Sequence, residues 1–149
     1  MLHYQIREGK NNLAKSPVIF LIHGYGSNSD DLFSFEPYLP FTHSIVSFQA
    51  PLRLGADSFG WYSLIAKEDG TFDSELIDAW NAVDLLLANI NKIINSHNFN
   101  PLDITLIGFS QGAILSWALA YKKSNKIRRI VALSGFVHDS IDISIKPSF

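Results

Sequence analysis

The sequence predicts an α/β fold, a mostly parallel sheet with flanking helices, and three observations carry that prediction. The run Val18-Ile19-Phe20-Leu21-Ile22 is apolar throughout, as a strand covered on both faces of a parallel sheet must be. Short β-rich runs alternate along the chain with segments of helical period, the pattern of strands joined by crossover helices. The strand-like Ile104-Thr105-Leu106-Ile107 passes through a glycine-bounded turn straight into a helical segment from Ala113 to about Lys122. No repeat or low-complexity stretch breaks this order, and 149 residues suffice for one domain with a sizeable core.

The first alternating run, Leu2 to Arg7, sets Leu2, Tyr4 and Ile6 on one face and reads as an edge strand. Gly9-Lys10-Asn11-Asn12 supplies turn chemistry before the buried strand, which ends in His23-Gly24-Tyr25-Gly26 and a polar loop. Asp30 is the expected cap of a short helix over Leu32, Phe33 and Phe35, closed by Pro37 and Pro40. Ser44 to Gln49 is the next strand, stopped by Ala50-Pro51. From Leu52 to Asp73 glycine, proline and aromatic residues follow no period, which predicts a long loop. Its Phe59, Trp61, Tyr62 and Phe72 argue that it is ordered.

The clearest helix spans about Ser74 to Ser96. Leu76, Trp80, Val83, Leu87, Ile90 and Ile94 step by four and three into one apolar stripe, with Asp78, Asn81, Asp84, Lys92 and Asn95 mainly off it. Asn98 and Pro101 are expected to end it. Arg129 to Leu133 is the last clear strand and stops at Ser134-Gly135. Beyond Phe136 only the alternation of Ile141, Ile143 and Ile145 stands out, which suits a short strand or extended segment.

Composition narrows the function classes. The formal net charge is -2, from 12 basic and 14 acidic residues, so nothing attracts nucleic acid or an anionic membrane. The one basic cluster, Lys122, Lys123, Lys126, Arg128 and Arg129, falls at an expected helix C-terminus, where positive charge suits the dipole. There is no cysteine, hence no disulfide framework, thiolate metal site or thiol nucleophile. Met1 to Glu8 lacks the regions of a signal peptide, and no apolar run approaches the roughly 20 residues that span a bilayer. A cytoplasmic protein without stable membrane insertion is expected. His3, His43 and His97 are scattered, Gly24-x-Gly26 lacks the rest of a dinucleotide fingerprint, and no phosphate-binding Gly-Lys-Ser/Thr occurs; neither metal nor cofactor is expected.

The chemistry lies at Gly108-Phe109-Ser110-Gln111-Gly112, a Gly-x-Ser-x-Gly sequence. The pentapeptide alone is weak, since it equally describes a turn with serine as helix N-cap. Placed between an apolar strand and a helix it is strong, because a nucleophilic serine is presented on such a sharp turn. The glycines have a steric reason: a Cβ at either flank would collide with the neighbouring strand or helix. The helix N-terminus sets free N–H groups beside a developing oxyanion. In this α/β-hydrolase arrangement one oxyanion donor follows the nucleophile and the other lies in a loop after an earlier strand, which here gives the amides of Gln111 and Tyr25. His23 is read as holding that loop in shape rather than as a general base.

Ile22-His23-Gly24-Tyr25-Gly26, Gln49-Ala50-Pro51, Gly60-Trp61-Tyr62-Ser63, Gly108-Phe109-Ser110-Gln111-Gly112 and Leu133-Ser134-Gly135 together resemble the phospholipase/carboxylesterase family, which includes acyl-protein thioesterases and bacterial carboxylesterases. The resemblance runs in order from about Val18 to Gly135. It implies hydrolysis of carboxylic esters or thioesters through an acyl-serine, without cofactor. Ser110 would be the nucleophile, the Tyr25 and Gln111 amides the oxyanion donors, and Trp61 a wall of the acyl pocket, against the alternative that Trp61 only packs in the core. Phe59, Tyr62 and Phe72 are read as packing.

The proton acceptor is the gap. In this architecture the order is Ser, then Asp or Glu, then His, yet after Ser110 the only histidine is His138, with Asp139 and Asp142 beyond it. His138 is read as a surface-loop residue rather than half of a makeshift dyad. The family pattern continues with a further strand carrying the Asp and a later loop carrying the His. Residues 1–149 are therefore expected to form one α/β-hydrolase domain, C-terminally incomplete, lacking its last strands and helix, as a fragment rather than a naturally short chain. Its open sheet edge invites association, including a homodimer. Two alternatives stand beside a weak esterase: a catalytically silent acyl-binding or partner-binding module, and a half-enzyme completed in trans.

Overall fold

The apolar run at 18–22 forms the middle of the structure. The computed structural model describes residues 1–70, 72–123 and 126–137. In chain order they form strands β1 (Tyr4–Arg7) and β2 (Ser16–Ile22), helix α1 (Ser29–Phe33), strand β3 (Ser44–Phe48), short strands β4 (Leu52–Arg53), β5 (Phe59–Gly60), β6 (Ile65–Ala66) and β7 (Phe72–Asp73), helix α2 (Leu76–Ser96), strand β8 (Phe99–Phe109), helix α3 (Gln111–Lys122) and strand β9 (Ile127–Leu133). The main sheet has the order β1-β3-β2-β8-β9, with β1 antiparallel and the rest parallel. Ile22 pairs with Phe48 on one side and Gly108 on the other, and Phe109 pairs with Leu133. The C-terminal ends of β2, β3, β8 and β9 thus share one edge, where open α/β sheets place their ligands.

Alternation along the strands divides the core in two. Val18, Phe20 and Ile22 point toward α2 and α3 and pack with Val46, Phe48 and Leu106; the Phe20 and Phe48 rings stack at 5.5 Å. Ile19, Leu21 and Ile45 point the other way, under Leu32 of α1. Leu2, Tyr4 and Ile6 pack together against the first cluster, as the expected edge strand requires. β9 borders the described sheet, with Val131 and Leu133 exposed. The segment holding Ile141, Ile143 and Ile145 lies outside the described residues, and so does His138.

Five expectations are corrected. Asn28, not Asp30, caps α1: its side-chain oxygen accepts the N–H groups of Asp30 and Asp31, which places Asp30 inside the first turn. Phe35 stays exposed, beyond the helix. The buried stripe of α2 is Ala82, Val83, Leu86, Asn89, Ile90, Ile93 and Ile94, with Leu76 41% exposed and Trp80 and Leu87 at its margin. Asn89 disguised the stripe, yet it is satisfied inside, accepting from Leu2 N at 2.9 Å and donating to Leu85 O at 2.8 Å. Asn98 follows the helix in a left-handed conformation (φ 53°), but Pro101 lies within β8, which begins already at Phe99. The stretch from Leu52 to Asp73 folds back on itself in two antiparallel pairs, β4 with β5 and β6 with β7. Among the described residues no helix is long and apolar enough to cross a membrane.

Candidate active site

Ser110 sits between the last residue of β8 and the first of α3, with φ 50° and ψ -114°. A non-glycine residue holds such a conformation only when its surroundings over-determine it. Here the Ser110 N–H donates to Leu133 O at 2.8 Å, while Ser110 O accepts from Ala113 N and Ile114 N at 2.9 and 3.1 Å. The two glycines explain how so sharp a turn fits. A Cβ on Gly108 would overlap the Gly112 carbonyl, and one on Gly112 would overlap the carbonyl oxygen of Ile22. Strand β2, strand β8 and the first turn of α3 therefore meet backbone to backbone.

The loop after β2 passes beside this turn. A Cβ built on Gly24 would lie 3.3 Å from Ser110 Cβ and 3.1 Å from the Phe109 ring. Gly26, with φ 81°, turns the chain so that its N–H reaches Phe59 O at 2.8 Å, and Phe59 N–H returns to Ser27 O at 2.9 Å. Tyr25 lies between these anchors. Gln111, as the first residue of α3, has an N–H with no intrahelical acceptor. Among the described residues neither the Tyr25 nor the Gln111 N–H has a hydrogen-bond acceptor.

His23 is fully buried and both ring nitrogens are engaged. Ala50 N–H donates to Nε2 at 3.0 Å, so the ring proton resides on Nδ1, which donates to Gly24 O at 2.7 Å. Burial holds its pKa below the ordinary histidine value, against the raising effects of the Gly24 hydrogen bond and of Asp31. His23 is thus a neutral tie between the ends of β2 and β3, the shape-holding role expected of it. His3 precedes β1, three strand spacings from β8 or roughly 14 Å by ordinary sheet geometry. His43 precedes β3, and His97 ends α2; both stand at the opposite end of the parallel strands.

Ser110 borders a cleft of about 320 Å³ whose apolar wall is made by Tyr25, Tyr62, Leu64, Phe72, Ile114 and Phe136. Burial pushes the Tyr62 phenol up to about 12, so it stays neutral. Tyr62 and Phe72, expected only to pack, face this cleft. Trp61, expected at its wall, is instead 4% exposed within the core and is not among the residues bordering the cleft. Its indole Nε1–H donates to His23 O at 2.8 Å, and its backbone N–H donates to the Gln111 side chain. Sequence reasoning missed that side chain, since it considered only the Gln111 amide. Among the described residues no three His, Asp or Glu side chains are grouped to hold a metal ion.

The decisive comparison is with protein families: the phospholipase/carboxylesterase model matches residues 3–148. The chain belongs to the phospholipase/carboxylesterase family. Solved structures agree on its α/β-hydrolase fold. Esterase PE8 superposes with a TM-score of 0.78 at 26% identity, covering 91% of this chain and 65% of that one. The Bacillus cereus carboxylesterase gives 0.71 at 22% identity, covering 87% and 58%. A phospholipase/carboxylesterase from Dyadobacter fermentans gives 0.65 at 20% identity, covering 92% and 61%. This family member therefore spans less than two thirds of the length of each of those structures. A search of curated proteins found no match.

Proposed function

We propose that the chain carries the nucleophile of a serine hydrolase acting on carboxylic esters or thioesters. The carrying observation is the strained Ser110 between β8 and α3, half-buried at an apolar cleft beside two N–H groups that have no acceptor. In this reading Ser110 Oγ attacks the acyl carbonyl carbon while its proton passes to a base. The carbonyl electron pair moves onto oxygen, and the Tyr25 and Gln111 amides stabilise the charge. Collapse expels the alcohol or thiol with a returned proton and leaves an acyl-serine. Water then repeats the sequence and releases the acid. The wall of Tyr25, Tyr62, Leu64, Phe72, Ile114 and Phe136 suits the acyl chain, and no step requires a cofactor.

The base does not come from His23, whose nitrogens are both occupied, and no other described histidine stands near Ser110. The chain alone is accordingly proposed to be a very weak esterase, since oxyanion stabilisation and binding alone retain on the order of 10³- to 10⁴-fold catalysis. The same observation favours a second reading, in which this fold binds an acyl group silently or receives its base from another polypeptide.

A fluorophosphonate probe separates the readings. The proposal expects covalent labelling of Ser110, lost in Ser110→Ala, with slow p-nitrophenyl acetate hydrolysis. Labelling absent from folded protein would remove the weak-esterase reading of this chain and favour the silent module or a base supplied by another polypeptide.

A further inference from the structure

Gln111 is buried at 3% exposure, and a buried carboxamide must find both an acceptor and a donor partner. It finds them on consecutive residues. Its Oε1 accepts the Trp61 backbone N–H at 2.8 Å and its Nε2 donates to Tyr62 O at 2.9 Å. The side chain therefore pairs with the 61–62 backbone much as a neighbouring strand would, holding that backbone to the first residue of α3.

The same segment grips the Tyr25 loop on both sides. Upstream of Trp61, Phe59 exchanges hydrogen bonds with Gly26 and Ser27. Gly60 lies against Tyr25, where a Cβ would come within 2.8 Å of the ring. The Trp61 indole holds His23 O at 2.8 Å. A continuous path thus runs from Gln111 through residues 59–62 to the residues on either side of Tyr25.

We propose that the Gln111 side chain is a positioning residue that fixes the separation of the Tyr25 and Gln111 amides. This rests on the reading of those amides as oxyanion donors. Their spacing is then set by one carboxamide whose own backbone supplies one donor and whose side chain locates the other. Asn would be one methylene short of the same bridge, and no apolar residue offers either hydrogen bond.

Two measurements on the full chain test it, with Gln111→Met removing both side-chain hydrogen bonds and Gln111→Glu keeping the acceptor for Trp61 while losing the donor to Tyr62. Amide hydrogen exchange is expected to be about tenfold or more faster at Trp61 and Gly26 in Gln111→Met, with β2 unchanged. Saturation labelling with an alkyl fluorophosphonate is expected to show a maximal rate lowered about 10- to 100-fold and a half-saturating concentration within about twofold of the parent. Gln111→Glu should fall between, and it carries both readouts if Gln111→Met does not fold. Unchanged exchange at Gly26 in a folded variant, or a change confined to half-saturation, overturns the proposal. A parent chain that the probe never labels overturns the weak-esterase reading of this chain instead, and the exchange data still decide whether the bridge exists.

Discussion

The Ala50 amide donates to His23 Nε2 at 3.0 Å, and that one bond fixes both the tautomer and the charge of this fully buried histidine. Its folded pKa lies below the ordinary value of 6.5. As pH falls below that value the unfolded chain takes up a proton that the folded chain refuses, so stability is complete above it and declines toward the folded pKa. The slope is at most about 1.4 kcal/mol per pH unit for this one proton, and His43, also lowered by burial, adds in the same direction. Proton NMR of the native chain should show the His23 ring still neutral, with its proton on Nδ1, at a pH where an exposed histidine is half-charged. A His23 resonance titrating at the ordinary value would contradict the assignment.

Gly112→Ala should be strongly destabilising, because the added methyl overlaps the Ile22 carbonyl oxygen rather than a movable side chain. Overpacking of this kind costs about 1–3 kcal/mol and more when backbone must shift. Urea denaturation gives the test; a midpoint equal to the parent's would mean that β2 and α3 do not meet as described.

Trp61→Phe should lower stability while leaving the choice among acyl probes unchanged. The substitution leaves His23 O buried without its indole donor, a loss of about 1–3 kcal/mol. Thermal melts and competitive labelling with short- and long-alkyl phosphonates separate the two effects. A shift in chain-length preference would return Trp61 to the acyl pocket.

Ile114→Trp should narrow the cleft beside Ser110 and discriminate by length. Labelling by an octyl phosphonate is expected to slow about tenfold or more relative to a methyl phosphonate, the usual scale for apolar pocket contacts. Equal slowing of both probes would argue that the acyl chain leaves Ser110 by another route.

The strands were legible because their signal is local: an apolar run at 18–22 and a glycine-bounded serine after 104–107 allow few other structures. The same holds for Ser110 and His23, whose neighbours in sequence dictate their setting. What escaped was decided by distant partners. The stripe of α2 passes through Asn89, whose side-chain oxygen is satisfied inside by Leu2 N, far away in sequence. Asn28 caps α1 because its side chain reaches the amides of the first turn, a geometry that Asp30, equally suited by type, does not have. The fate of Trp61 depends on Gln111, and nothing near either residue announces that their hydrogen bond forms. Aromatic residues in the 52–73 stretch likewise divide between core and cleft according to which element covers them, so Tyr62 and Phe72 reach the cleft while Trp61 does not.

The sharpest test of the oxyanion site is a crystal structure of the chain carrying a phosphonate on Ser110 Oγ. One phosphoryl oxygen is expected within about 2.7–3.1 Å of both the Tyr25 and Gln111 nitrogens. A phosphoryl oxygen directed to solvent, or an adduct on any other residue, would contradict it.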